Sequence, residues 1–139
     1  MGSEPGSHEG SLSVLIVEDH ALVREATLRL VESLGYRPVA VATTGAALAV
    51  LERGHFDILL SDVVLGPGPD GIELSERASA ASPALAVLLM SAFSSVHARM
   101  TDLPGHYRFI QKPCDPVELA TLLRAAVDAS RAAASSRDG

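Results

Sequence analysis

The chain has 139 residues, 47% of them hydrophobic, with 17 acidic against 11 basic side chains and a net charge of −6. That length fits one domain with an ordinary core, filled by aliphatic and Ala side chains because Trp is absent and aromatics reach only 4%. The acidic balance argues against a direct nucleic-acid surface, which needs clustered Lys and Arg, and no apolar run approaches the roughly 20 residues that cross a bilayer.

Residues 1–11 are rich in Gly, Ser, Glu and Pro and lack the basic start and apolar middle of a signal peptide. They read as a disordered lead, and the single cysteine, Cys114, fits a reducing, cytoplasmic setting. Leu12 to Val17 (LSVLIV) is a short aliphatic run that ends in acids, the pattern of a buried parallel strand. Val23, Ala26, Thr27, Leu30 and Leu34 follow at helical spacing, with Gly35 to close the helix. Arg37 to Ala42 predicts a second strand, and Pro38 within it points to a sheet edge. Thr43 or Thr44 can cap a helix carrying Ala47, Val50 and Leu51 that stops at Gly54. Asp57 to Ser61 predicts the third strand, running into Asp62.

A Gly/Pro-rich loop, Gly66 to Gly71, precedes a helix through Ala81, which Ser82-Pro83 breaks. Ala86 to Met90 predicts the fourth strand, ending at Ser91, and Ser95 to Met100 a weak helix. His106 to Ile110 predicts the fifth strand, closed by Lys112-Pro113. Asp115-Pro116-Val117-Glu118 is a strong helix start, with Asp as cap, Pro at the first helical position and Glu placed for a capping box. Leu119, Leu122, Leu123, Ala126 and Val127 give that last helix its apolar face. The expected organisation is one domain over 12–129, with residues 130–139 a flexible tail.

Five strands alternating with five helices imply an α/β fold, a doubly wound five-stranded parallel sheet with its site beyond the carboxyl ends of the strands. Those ends carry Glu18 and Asp19, Asp62, Ser91 and Lys112. Three carboxylates gathered in one pocket repel one another unless a cation intervenes. Hard oxygen donors at a polar, accessible site suit Mg²⁺, with Mn²⁺ as a substitute.

This arrangement resembles the response-regulator receiver family of two-component signalling. The resemblance rests on Glu18-Asp19 after LSVLIV, Asp62 after DILLS, Ser91-Ala92 after AVLLM, and Phe109-Ile110-Gln111-Lys112-Pro113, and it covers Leu12 to Ala129. It implies a flavodoxin-like receiver fold with Asp62 as phosphoacceptor and metal ligand. Asp19 would bind the metal directly, Glu18 largely through water, and the backbone carbonyl of Val64 would add another ligand. Lys112 would hold phosphoryl oxygens and Ser91 would move to hydrogen-bond one of them. Phe109 would be the aromatic switch, and the Lys112-Pro113 bond would be cis. Partners would be a histidine kinase or a histidine phosphotransfer protein, with the surface of the fourth helix, fifth strand and fifth helix (Val96, Met100, Phe109, Leu119, Leu122) as a partner or homodimer face. Such a domain assists only its own phosphorylation and dephosphorylation and is not a separate enzyme. The loop after Asp62 and the Asp-Val-Val-Leu run are similar to receivers attached to hybrid sensor kinases, and Glu18 stands where Asp is more frequent.

Several neighbours have plainer readings. His20 is expected to cap the first helix rather than bind metal, and Cys114 to pack rather than react. Val64 and Phe93 are apolar where some receivers orient an attacking water, which is read two ways: slow loss of the phosphoryl group, or packing alone. Two alternatives stay open from sequence: an interaction module of the same fold that does not use phosphate, and a small Mg²⁺-dependent phosphohydrolase.

Overall fold

A computed structural model of the chain describes residues 12–65, 70–91 and 103–138, with side chains described up to residue 135. Its elements are β1 (Ser13–Val17), α1 (Ala21–Ser33), β2 (Arg37–Val41), α2 (Thr44–Arg53), β3 (Ile58–Asp62), α3 (Gly71–Ala81), β4 (Ala86–Ser91), β5 (Arg108–Gln111) and α4 (Pro116–Asp138). The strands form one parallel sheet in the order β2-β1-β3-β4-β5. Pro38 sits on the outermost strand β2, where a missing N–H costs no ladder bond to a further neighbour. The chain winds one way from β1 to β2 and the other way from β3 onward, so the crevice at the switch point opens beyond β1 and β3.

Strand periodicity sorts the aliphatic residues onto two faces. Val14, Ile16, Ile58, Leu60, Leu88 and Met90 point to one face, where Val31 of α1 and Leu119, Leu123, Ala126 and Val127 of α4 cover them. Leu15, Val17 and Leu59 point to the other, under Ala47 of α2 and Leu74 and Ala78 of α3. A third cluster continues that packing toward β5 through Val63, Ile72, Val87, Leu89 and Tyr107, with Phe109 against it. Burial on both faces explains why β1, β3 and β4 are continuous aliphatic runs rather than alternating ones.

Helix ends follow from short polar side chains. Thr43 Oγ1 accepts from Ala46 N at 3.0 Å, Asp70 Oδ1 from Glu73 N at 3.0 Å and Asp115 Oδ2 from Glu118 N at 3.0 Å. Gly35 takes the left-handed conformation (φ 100°) just past α1, the conformation that favours glycine.

Three expectations change, and a fourth falls on residues that are not described. The Ala/Ser-rich stretch expected to be a flexible tail beyond Ser130 continues α4 to Asp138. Ala favours helix, and the buried Ser130 hydroxyl donates to the Ala84 carbonyl at 2.8 Å, pinning this part of the helix beside the entry to β4. The fifth strand starts at Arg108, because Tyr107 N donates to the Pro104 carbonyl and holds His106 and Tyr107 in a turn. Leu119 is fully buried and Leu122 packs inward, so neither belongs to an exposed partner face. The predicted helix at Ser95 to Met100, together with Ala92, Phe93, Val96 and Met100, lies outside the described residues.

Adjacent residues of β3 serve different cores, so Leu59→Ala and Leu60→Ala should each cost about 2–5 kcal/mol by urea denaturation. Val39→Ala on the exposed edge strand should stay within about 0.5 kcal/mol.

Candidate functional site

The carboxyl ends of β1, β3, β4 and β5 bring Glu18, Asp19, Asp62, Ser91 and Lys112 to one cavity of about 310 Å³. Glu18 stays in register because its N–H donates to the Val41 carbonyl at 3.1 Å, extending the β1–β2 ladder. Its carboxylate points inward and is 1% exposed, whereas Asp19 is exposed to solvent. Asp62 ends β3 and is 5% exposed. Lys112 N donates to the Ser91 carbonyl at 2.9 Å, which ties the end of β5 to that of β4. The Lys112-Pro113 peptide bond is cis.

Lys112 Nζ lies between the two buried carboxylates, 2.5 Å from Glu18 Oε1 and 2.9 Å from Asp62 Oδ1. The other Glu18 oxygen accepts from His20 N at 3.0 Å. Burial pushes the Asp62 carboxyl up to about 7; the neighbouring Glu18 carboxylate adds to that, while Lys112 pulls the other way. Burial also acts to raise Glu18, but its hydrogen bonds to Asp62, Lys112 and the His20 N–H outweigh that effect and hold it below its usual range. For Lys112, burial acts to lower the ammonium, and the two carboxylate partners prevail and raise it. Of the two buried acids, Glu18 therefore keeps its charge and Asp62 is the one that takes up a proton near neutrality.

One oxygen from each of Glu18, Asp19 and Asp62 lies within 4.8 Å of the others. Among the described residues no other group of three His, Cys, Asp or Glu side chains is so placed. Three carboxylates against one ammonium leave excess negative charge, and an all-oxygen donor set of this span fits a hard divalent cation such as Mg²⁺. Val64 lines the same cavity with a side chain that is 59% exposed, so it packs against little.

The nearby residues take quieter places. His20 Nδ1 accepts from Val23 N at 3.4 Å as the cap of α1. The Cys114 thiol contacts Met90 Sδ at 3.9 Å, and burial pushes its pKa up, which keeps it protonated. Phe109 is half-buried on β5, paired in register with Leu89. Phe93 lies outside the described residues.

Two residues not singled out from sequence control the Asp62 backbone. The Ser61 hydroxyl donates to the Asp62 carbonyl at 2.9 Å. Gly71, the first residue of α3, approaches that carbonyl so closely that a Cβ would lie 1.8 Å from its oxygen. The Gly71 N–H also donates to the Val63 carbonyl at 2.8 Å. In sequence Gly71 reads as the end of a Gly/Pro-rich loop, and only the folded chain shows which carbonyl the glycine must clear.

Comparison with known proteins agrees with this geometry. Over 118 residues the chain is 32% identical to the sensor kinase CckA of Brucella abortus, a match that covers 83% of this chain and 12% of that protein. It is 30% identical over 101 residues to the response regulator receiver protein CpdR of the same organism, covering 72% of this chain and 83% of CpdR. Among solved structures, a CheY-like response regulator receiver domain protein from Methanospirillum hungatei superposes with a TM-score of 0.77 at 27% identity, over 87% of this chain and 97% of that one. The chain spans less than half the length of most of the larger regulators and kinases it matches, 23% in the case of FleR of Pseudomonas aeruginosa. A profile of the response regulator receiver domain matches residues 14–124, and by that match across most of its length the chain belongs to the response regulator receiver domain family.

Proposed function

We propose that Asp62 accepts a phosphoryl group from a phosphohistidine on a histidine kinase or histidine phosphotransfer protein, and that the modified domain signals to a partner within a two-component pathway. The observation that carries this reading is the Lys112 ammonium held against Asp62 at the floor of an acidic cavity. An Asp62 carboxylate oxygen would attack phosphorus in line as the bond from phosphorus to the imidazole nitrogen breaks, and the imidazole leaves with the electron pair. Lys112 would meet charge on the transferred oxygens, and the Ser91 hydroxyl would donate to one of them. Phe109 would then repack as Ser91 moves. Glu18, Asp19, Asp62 and the Val64 carbonyl would hold Mg²⁺ or Mn²⁺, which when bound neutralises charge on the phosphoryl oxygens.

An apolar groove of about 520 Å³ lies between α1 and the segment after β5 and reaches Lys112. Leu22 on its rim is 79% exposed. Apolar surface beside the acceptor supports docking of a phosphodonor protein there. The homodimer reading is narrower: of the residues expected on that face half-buried Phe109 is retained among the described ones, and exposed Val117 of α4, not expected there, adds to the apolar surface of that helix. No described helix is long and apolar enough to cross a membrane.

Incubation with Mg²⁺ and acetyl phosphate should add one phosphoryl group to the wild type and none to Asp62→Asn by intact mass, with Lys112→Ala slowed roughly 10²-fold. No mass gain would favour the phosphate-independent interaction module, and turnover of many phosphoesters the hydrolase. The wild-type acyl phosphate should outlast that of Val64→Asn, and an equal or shorter half-life would remove the slow-hydrolysis reading.

In metal-free buffer Asp62 also governs a pH effect. Its folded pKa of about 7 lies above the ordinary 3.8, so between those values the native state holds a proton the unfolded chain has released. This carboxyl therefore costs the wild type stability as pH rises through that window. Asp62→Asn should gain stability relative to wild type from about pH 4 to about pH 7 and level off above that, measured by urea denaturation with chelator. A difference that stays flat would contradict it.

A further inference from the structure

An otherwise aliphatic interior contains a seam of buried hydroxyls that the proposed chemistry does not use. Tyr107 enters β5 from its turn, is 3% exposed and belongs to the cluster with Val63 and Ile72. Its hydroxyl donates to the Ser75 carbonyl at 3.3 Å and pairs with Ser79 Oγ at 3.0 Å, both on α3. A tyrosine hydroxyl carries one proton, so Ser79 is the donor in the second bond. Ser75, fully buried, donates from Oγ to the Gly71 carbonyl at 2.7 Å. Gly71 in turn donates to the Val63 carbonyl and lies against the Asp62 carbonyl with no room for a side chain. On its other side Tyr107 is fixed by the bond from its N–H to the Pro104 carbonyl and by the Arg108 guanidinium, which donates to its carbonyl at 2.9 Å.

We propose that Tyr107 is a positioning residue for Asp62, acting through Ser75 and Gly71 of α3. The hydroxyl sets how far α3 sits along the sheet. Gly71 is the end of that helix and already touches the acceptor's backbone, so a displacement of α3 by a few tenths of an ångström has no gap in which to dissipate. The acceptor carboxylate and Lys112 meet across one hydrogen bond, and reaction rates respond steeply to such geometry. Three buried hydroxyls (Ser61, Ser75 and Tyr107) and the half-buried one of Ser79 thus connect the turn before β5 to the reacting aspartate. The rate consequence rests on Asp62 being the phosphoacceptor, while the positional consequence does not.

The test uses the full chain with Tyr107→Phe, which keeps the ring and its packing, and Ser75→Ala, which removes only the link to Gly71. Three quantities are read: the amide NMR signals of Asp62 and Gly71, the rate of Asp62 modification by acetyl phosphate with Mg²⁺, and the melting temperature. Each variant should move both amide signals and slow modification about three- to tenfold. The double variant should be no slower than the slower single one, because both changes cut the same line. Unmoved amides, rates within about twofold of wild type, or losses that simply add in the double variant would overturn the proposal. Should wild type itself take up no phosphoryl group, the acceptor reading fails, and the amide signals still decide whether Tyr107 positions Asp62.

Discussion

Two carboxylates buried at neighbouring strand ends would drive one another apart if nothing stood between them, and Lys112 stands between them. Its ammonium spans Glu18 and Asp62 across sequence separations of 94 and 50 residues, so the three strands that carry these residues must finish in register for the pocket to exist. The balance is deliberately incomplete. With Asp19 at the rim, negative charge exceeds positive, and burial, aided by the Glu18 carboxylate, pushes the Asp62 carboxyl up into the neutral range. A site in that condition attracts a divalent cation and has an aspartate whose charge responds strongly to what enters the cavity.

The sheet produces this crowding as a by-product of its topology. Parallel strands buried on both faces leave polar residues only at their ends, and the reversal of winding between β1 and β3 opens a crevice where those ends point. The two hydrophobic layers hold the strand ends rigidly, and the β4–β5 tie through Ser91 and Lys112 brings in a strand three places away from Glu18's own. Chemistry and stability thus draw on the same register.

Much of this was legible in the chain before folding. Aliphatic runs that stop abruptly at Glu18, Asp62, Ser91 and near Lys112 mark strand ends, Pro38 marks an edge, and Thr43 and Asp115 mark helix starts, because each signal is local. What escaped is what depends on a distant partner. Ser61 and Gly71 look like ordinary strand and loop residues until the Asp62 carbonyl is seen against both. Tyr107 reads as a strand aromatic, and only α3 reveals its hydroxyl as an anchor. Ser130 sits in a stretch without apolar periodicity, yet the Ala84 carbonyl gives it a place and the helix runs on. Leu119 and Leu122 fit a helix face equally well inward or outward, and packing alone chose inward.

The alternation along β3 has an implication for how such a chain can change its length. Leu59 and Leu60 belong to opposite layers, and Asp62 meets Lys112 only because it lies an even number of steps from Leu60. Gaining or losing one residue inside this strand would exchange the two oily sets and turn the acid away from its cation together. Divergence by single-residue indels is therefore barred here by parity, whereas replacements that keep the count are limited only by volume and shape.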